Sequence, residues 1–353
     1  MSRFLSERLA ALKPYTPGEQ PKTRKFIKLN TNESPFPPSP KAIEMAKCEV
    51  ENLMLYSDPS CSSLKEKMAE ILNISSESVS FGNGSDEILN FAFMAFCDDN
   101  TPIIYPDISY SFYPVLSNLY TLPKNVVPLR KDFTICIDDY KDLKGTVVIA
   151  NPNAPTGIAL SIDQIEELLC QNRDRVVIID EAYVDFGADS AVSLIDRYDN
   201  LLVVQTFSKS RSLAGGRLGM AIGCRELIQD IETIRNSFNP YNINRMTMAA
   251  GVGSLIDEEY TRENCAIIIE NRTYTKIELE KMGFEVLDSS TNFLFAKTDK
   301  VSGDDLYLKL KENGILVRHF KDERIRDFNR ITIGSKEEMD AFLDAVRSIL
   351  KEI

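Results

Sequence analysis

Between about residues 60 and 224, short apolar runs alternate with segments of helical spacing. Apolar residues recur with helical periodicity over 64–72 and 161–172, and FGNGSDEILNFAFMAF is a turn that opens into an apolar helix. The short apolar runs predicted to form strands lie at 102–105, 146–150, 176–179, 201–205 and 220–222. Buried strands that alternate with helices predict an α/β domain with a mostly parallel central sheet and helices on both faces.

The pattern changes after about residue 245. A long, charged helical region covers 257–282 and is followed by shorter elements. The sequence predicts strands at 284–287, 292–296, 315–318 and 330–333, with helices at 304–313 and from 336 onward. This arrangement is typical of a smaller α+β domain.

The first 40 residues are rich in proline, with PYTPGEQP followed by NESPFPPSP. Because proline interrupts both helices and central strands, we expect this segment to lie as an arm over the rest of the protein. The predicted division is an N-terminal arm (1–28), a large domain (46–245), and a small domain made of 29–45 and 246–353.

Composition narrows the possible functions. The 353 residues include 41 Lys and Arg against 53 Asp and Glu, a formal charge of −12, and no basic block. We therefore expect no nucleic-acid or membrane partner. His319 is the one histidine, so a multi-histidine metal centre is excluded and no metal site is expected. Any histidine-dependent triad would have to use that residue.

Cysteine usage and the N-terminus predict a soluble cytoplasmic protein. The seven cysteines include no C-x-x-C pair, and an odd number without framework spacing is typical of reduced thiols. The opening MSRFLSERLAALKP lacks a signal-peptide core, and no apolar run approaches membrane-spanning length.

Polar residues with chemical potential follow successive predicted strands. NPNAPTG follows 146–150, Asp180 and Tyr183 follow 176–179, and Ser208 and Lys209 follow 201–205. Each has an ordinary structural interpretation: an Asp there usually caps a turn, a lone Lys is usually solvated, and GNGSDE suits any strand–helix turn. Together, at the carboxyl ends of neighbouring strands, they favour a functional site.

Pyridoxal phosphate (PLP) chemistry requires this combination. It needs a lysine amine for the cofactor aldehyde, a carboxylate beside the pyridine nitrogen, and a cup for the phosphate. A helix N-terminus with small residues and an arginine can form such a cup. Three parts of this sequence meet these needs. Lys209 offers the amine, Asp180 offers the carboxylate, and the phosphate cup can be formed by Ser208 and Arg217 with the GNGSDE turn.

The sequence resembles the fold-type I PLP-dependent aminotransferases, and most closely the histidinol-phosphate aminotransferases. The motifs that carry the resemblance run nearly end to end: KPY, LNTNESP, LYSDP, GNGSDE, P-x-x-SY-x-x-Y, NPNAPTG, DEAYVDF, TFSKSRSLAGGRLG, STNFLF and RITIG. The resemblance implies an aspartate aminotransferase-like fold with PLP as cofactor.

The resemblance also implies roles for the matching residues. Lys209 would carry the cofactor and move a proton, Asp180 would pair with the ring nitrogen, and Tyr183 would contact the phenolic oxygen. Further cofactor-binding residues would be Ser85, Asp86, Tyr110, Ser208 and Arg217, with Tyr56 from the neighbouring subunit. Substrate-facing residues would be Tyr15, Asn32, Arg318 and Arg330.

The chain departs from the family pattern at two places. The family usually has asparagine directly before PTG, where this chain has Ala154. Either Asn153 or Asn151 takes over the contact with the cofactor, or Tyr183 acts alone; we assign Asn153 to the cofactor site. The LYSDP loop has Leu55 and Ser57 in place of the commoner arginine and proline.

The implied function is transamination between histidinol phosphate and 2-oxoglutarate in histidine biosynthesis, by a homodimer with shared active sites. Two other enzymes remain open, a threonine-phosphate decarboxylase and an aromatic amino acid aminotransferase. A non-catalytic PLP-binding regulator would need an added DNA-binding domain, and the proline-rich arm is too short to be one.

Overall fold

The computed structural model describes residues 2–9, 12–21 and 24–352. Its helices and strands, in chain order, are β1 (Ile27–Lys28), α1 (Pro40–Cys48), α2 (Ser62–Leu72), β2 (Val79–Gly82), α3 (Ser85–Phe96), β3 (Ile103–Pro106), α4 (Phe112–Leu119), β4 (Lys124–Val127), β5 (Thr146–Ala150), α5 (Ile162–Gln171), β6 (Val177–Asp180), β7 (Leu201–Thr206), β8 (Gly219–Gly223), α6 (Arg225–Phe238), α7 (Arg245–Ile256), α8 (Glu258–Lys281), β9 (Glu285–Val286), β10 (Phe293–Lys297), α9 (Gly303–Glu312), β11 (Ile315–Leu316), β12 (Arg318–His319), β13 (Asn329–Thr332) and α10 (Lys336–Lys351). Within the described ranges, no helix is both long and apolar enough to cross a membrane.

The large sheet has seven strands in the order β2-β8-β7-β6-β5-β3-β4. Strands β3 to β7 pair in parallel, and β8 runs antiparallel to both β7 and β2. Successive residues of β5 pack into different cores, with Val147 and Ile149 in one and Val148 in the other. Because both faces are covered, the central strands are apolar throughout. The predicted α/β fold is confirmed.

Helix starts are set by local chemistry. Helix α5 begins with a capping box between Ser161 and Gln164, and α10 begins with the same device between Ser335 and Glu338. Helix α3 is different, because its N-cap is Gly84 and no side chain in the described part of the chain caps its first amides. Those amides remain available to an anion at the carboxyl edge of the sheet.

Several elements were not predicted. Strand β4 (KNVV) lies at an edge with most of its residues at least partly exposed, so it lacks the continuous apolar run of its neighbours. Helix α7 has apolar and small residues on all sides, so it shows no amphipathic period. Strand β2 and helices α1, α4 and α6 were also not assigned.

The domain boundary differs from the predicted one. Ala42 of α1 packs with Met248 and Leu255 of α7 in the core of the large domain, so 40–48 and 245–256 both belong to that core. A Cβ atom on Gly253 would lie 2.6 Å from the Cα atom of Ala42, and this glycine therefore allows the two helices to approach closely.

The small domain has its own core and its own sheet. Its core joins Leu29 to residues of α8, α9 and α10, and its sheet has the order β12-β13-β10-β9. Strand β1 pairs in parallel with β11, so the end of the predicted arm is tied to this domain.

Candidate active site

A cavity of about 540 Å³ lies at the carboxyl ends of β5, β6 and β7, and the arm and the small domain close its other side. It brings together all but two of the predicted site residues: Tyr15, Asn32, Ser85, Asp86, Tyr110, Asp180, Tyr183, Ser208, Lys209, Arg217, Arg318 and Arg330. Asn153 and Tyr56 lie outside it. The side chains predicted to act together therefore share one chamber.

Asp180 is the last residue of β6, and the parallel register sets it beside Ala150 and Val204. Its Oδ2 atom accepts a hydrogen bond from the Tyr113 hydroxyl at 2.8 Å, whereas Oδ1 has no partner among the described residues. Burial raises the pKa of this carboxyl to about 7. Asp180 thus offers one free acceptor to a group bound in the cavity.

Lys209 follows β7, and its Nζ atom donates to the backbone carbonyl of Thr31 at 3.2 Å. Burial, followed by the positive charge of Arg330, lowers the pKa of this amine to about 8. More of the amine is therefore neutral near physiological pH, as required for a lysine that attacks a carbonyl carbon.

An anion-binding cup lies at the N-terminus of α3. The Arg217 guanidinium lies beside it and donates to Asp86 Oδ2 at 3.0 Å. A Cβ on Gly84 (φ +82°) would lie 2.5 Å from Arg217 Nη2, and one on Gly219 would lie 2.3 Å from the amide nitrogen of Ser85. Glycine at both positions therefore lets the arginine and β8 approach the free amides, which form a site suited to phosphate.

Asn32 is held in the left-handed region (φ 55°) and links the two domains. Its Nδ2 atom donates to the Tyr183 hydroxyl at 2.9 Å, and its Oδ1 atom accepts from Thr332 Oγ1 at 3.0 Å. Because the Tyr183 oxygen already accepts this bond, its own proton is free to be donated into the cavity. The Asn32 amide, expected to face the substrate, is used to orient Tyr183.

Two arginines lie side by side on the small-domain wall, where Arg318 of β12 is paired with Arg330 of β13. Arg330 donates to the Asn30 carbonyl at 3.2 Å, lies 5.2 Å from the ring centre of Phe293, and keeps an unpartnered Nε within the described residues. Burial lowers the pKa of Arg330. Two neighbouring guanidinium groups make this wall a receptor for an anionic substrate.

The arm lies over the same wall. Arg318 donates to the carbonyls of Thr16 and Pro17, at 3.3 Å each. Tyr15 packs edge-on against the ring of Tyr110, with the ring centres 6.3 Å apart, and the Tyr110 hydroxyl donates to Asp86 Oδ1 at 2.8 Å. The arm therefore closes the cavity from the solvent side.

The structure differs from the assignment of Asn153 to the cofactor site. Asn153 Nδ2 donates to the Ile108 carbonyl and to Thr156 Oγ1, both at 3.0 Å, and Oδ1 accepts from Ser109. These bonds fasten the NPNAPTG loop to residues 108 and 109, and Ala154 lines the cavity instead. Asn151 is likewise bonded to the backbone of its own loop.

Tyr56 lies outside the cavity of its own chain. It is 79% exposed, its ring stacks on Tyr241 with the centres 4.5 Å apart, and its carbonyl accepts from Arg245 at 3.1 Å. Its side chain is therefore presented at the surface.

Sequence reasoning gave no role to three residues at or behind the cavity wall. Tyr113 was part of a quoted motif and lies on the first turn of α4, where its backbone amide donates to the carbonyl of Tyr110 at 3.2 Å. Phe320 lies under both guanidinium groups, two residues after Arg318, a spacing that shares a face in extended chain. The contact with Thr31 uses only its backbone carbonyl, which leaves no trace in the sequence.

Comparison with known proteins decides the family. Residues 24–346 match the model for aminotransferase class I and II. Histidinol-phosphate aminotransferase of Brachyspira hyodysenteriae is 52% identical over 353 residues, covering 99% of this chain and 100% of the relative. The enzyme of the same name from Clostridium botulinum strain Langeland is 47% identical, with both chains covered in full. This chain belongs to the class I and II aminotransferases, within the histidinol-phosphate aminotransferase family.

Solved structures support the fold of this aminotransferase. Histidinol-phosphate aminotransferase from Sinorhizobium meliloti, in complex with pyridoxal-5'-phosphate, superposes with a TM-score of 0.91 at 21% identity, covering 100% of this chain and 99% of the other. The enzyme from Clostridium acetobutylicum gives 0.86 at 24% identity, covering 92% and 99%.

The cofactor of this aminotransferase family is PLP, and the residues present fit it. The free oxygen of Asp180, the low-pKa amine of Lys209 and the uncapped α3 amides beside Arg217 lie around one cavity. The Asp180 oxygen suits the ring nitrogen of PLP, the Lys209 amine suits its aldehyde, and the amides with Arg217 suit its phosphate. When bound, PLP withdraws electrons from the substrate carbon that carries the amino group.

Proposed function

We propose that this aminotransferase exchanges an amino group between L-histidinol phosphate and 2-oxoglutarate in histidine biosynthesis, forming imidazole acetol phosphate and L-glutamate. The observation that carries the proposal is the pairing of Arg318 and Arg330 on the wall of the cavity that contains Lys209. A planar guanidinium can fork two hydrogen bonds to a phosphate or a carboxylate. The names of the full-length relatives support the same substrate.

In this proposal, three side chains perform the proton chemistry. Lys209 would take the proton from the substrate carbon and return it at the cofactor carbon. Asp180 would keep the ring nitrogen protonated through its free Oδ1. Tyr183 would donate a hydrogen bond to the phenolic oxygen, because its own oxygen already accepts one from Asn32.

The remaining site residues bind and orient. We assign the cofactor phosphate to the amides of Ser85 and Asp86 with the side chains of Ser208 and Arg217, and the ring face to Tyr110. Arg330 and Arg318 would hold the distal anion of the substrate, with Tyr15 over it. Asn32 would act on the substrate only through Tyr183.

A homodimer with shared sites completes the proposal. Tyr56 lies in an exposed apolar surface with its chain neighbours Met54 (78% exposed) and Leu55 (56%), and its ring stacks on that of Tyr241 (44%). A contiguous apolar patch of this kind usually marks an interface. Arg245 holds the loop, and Tyr56 would reach the cofactor phosphate of the partner subunit. We also place the enzyme in the cytoplasm, which its free cysteines support.

The test is a single-turnover reaction of the PLP-loaded enzyme. Histidinol phosphate should convert the bound cofactor to its amino form, seen as an absorbance change, and 2-oxoglutarate should then restore the starting spectrum. Parallel arms with O-phosphothreonine and phenylalanine cover the two other enzymes. Carbon dioxide release from O-phosphothreonine, or turnover of phenylalanine without turnover of histidinol phosphate, would contradict the proposal.

A further inference from the structure

One tyrosine lies behind the cavity rather than in its wall. Tyr113 of α4 is fully buried, and its hydroxyl donates to Asp180 Oδ2 at 2.8 Å. Asp180 Oδ1 has no partner among the described residues. Tyr113 therefore determines which of the two carboxylate oxygens is occupied by the protein and which remains to accept a bond from a bound ring.

The direction of the Tyr113 hydroxyl is fixed by packing. The ring lies among Phe93, Tyr105 and Tyr110, with ring centres 6.5, 6.1 and 5.7 Å away and the last contact edge-on. A ring surrounded in this way cannot swing its hydroxyl to another acceptor without displacing Tyr110, which lines the cavity. The hydrogen bond to Asp180 is thus built into the aromatic core.

We propose that Tyr113 is a positioning residue that keeps the Asp180 carboxylate charged and holds Oδ1 toward the ring nitrogen, so that the proton stays on the cofactor. The inference rests on the proposed role of Asp180. A hydroxyl donating to a carboxylate forms a charge-assisted bond, which stabilises the anion inside a region of low polarity. Without it, the proton would move from the ring nitrogen toward Asp180, and the ring would withdraw electrons less strongly.

The charges around Asp180 make this donor important. Burial raises the pKa of Asp180, and the negative charge of Asp86 acts in the same direction, whereas Tyr113 and the amide of Ala182 lower it. Burial and the charge of Asp180 raise the pKa of Tyr113 well above its ordinary value, so this hydroxyl remains a donor. Tyr105, Tyr110 and Tyr183 are further titratable groups near Tyr113.

The test uses holoenzyme loaded with PLP that carries ¹⁵N at the ring nitrogen. In Tyr113→Phe, the ¹⁵N resonance should move from the protonated toward the unprotonated position, and the half-reaction with histidinol phosphate should slow about tenfold or more. Tyr140→Phe is the matched control. The Tyr140 hydroxyl is buried and has no partner among the described residues, so its loss should change neither the resonance nor the rate.

A third variant separates this inference from the proposed role of Asp180. If Asp180→Asn moves the resonance but Tyr113→Phe leaves it in place, the role of Tyr113 is overturned and that of Asp180 stands. If neither variant moves it, both assignments fail. Should Tyr113→Phe not hold PLP, 3-fluorotyrosine at position 113 keeps the hydroxyl and makes it a stronger donor. The ¹⁵N resonance should then lie at least as far toward the protonated position as in the unsubstituted enzyme, and movement toward the unprotonated position would overturn the proposal.

Discussion

Replacement of Arg330 by lysine tests whether one guanidinium binds both substrates. The variant keeps the positive charge but loses the planar fork, the bond to the Asn30 carbonyl, and the flat contact with Phe293. A hydrogen bond to a charged group contributes about 1.5–3 kcal/mol. Loss of one such bond to the substrate therefore predicts a decrease of about 10- to 150-fold in kcat/KM.

The assay measures the two half-reactions separately by stopped-flow absorbance, with histidinol phosphate and then with 2-oxoglutarate. Both should slow in Arg330→Lys. Arg272→Lys is a suitable control, because Arg272, like Arg330, donates to the backbone, here to the carbonyls of Phe186 and Thr291, but does not line the cavity. This variant should have a lower melting temperature and nearly unchanged rates in both half-reactions. A loss confined to one half-reaction would refute the idea of a shared anchor and would require a separate site for the other anion.

Three further predictions follow from the same geometry. Gly219→Ala should weaken PLP binding at least about tenfold and destabilise the fold by about 1–3 kcal/mol, because its Cβ would meet the amide of Ser85. Gly215→Ala is the control: its Cβ would meet no described residue within 4 Å, so it should be neutral in PLP titration and thermal unfolding. Only the neutral amine of Lys209 adds to the aldehyde, so the rate at which the apoenzyme takes up PLP should rise with pH and level off above about pH 8. Stopped-flow absorbance measures this rate, and a rise that continues toward pH 10.5 would contradict the lowered pKa of Lys209. Mixing Tyr56→Phe with Lys209→Ala chains should restore part of the activity, since each heterodimer contains one intact site; activity no higher than expected from the Tyr56→Phe homodimers present would argue against shared sites.

The sequence predicted the central strands and the location of the site because both depend on simple patterns. Strands buried on both faces are apolar throughout, and the carboxyl ends of parallel strands meet at one edge. Asp180 and Lys209 could therefore be assigned to one site before any contact was known. The partly exposed edge strand β4 and the uniformly apolar helix α7 lack such a period, so their positions depend on packing with distant parts of the chain.

Finer details of the site depend on contacts that no local pattern encodes. Asn153 and Ala154 are neighbours, and only the path of the loop decides which of them lines the cavity. Asn32 was assigned to the substrate, yet its amide is used by Tyr183 and Thr332, which lie far away in the sequence. The bond between Tyr113 and Asp180 likewise joins residues 67 positions apart.

In our proposal, the cavity at the ends of β5, β6 and β7 is the cofactor site, and Lys209 is the residue that holds PLP. The most direct measurement is borohydride reduction of the PLP-loaded enzyme, followed by proteolysis and mass spectrometry of the labelled peptide. We expect one pyridoxyl group per chain, on Lys209 in the segment TFSKSR. A stoichiometric label on any other lysine would contradict it.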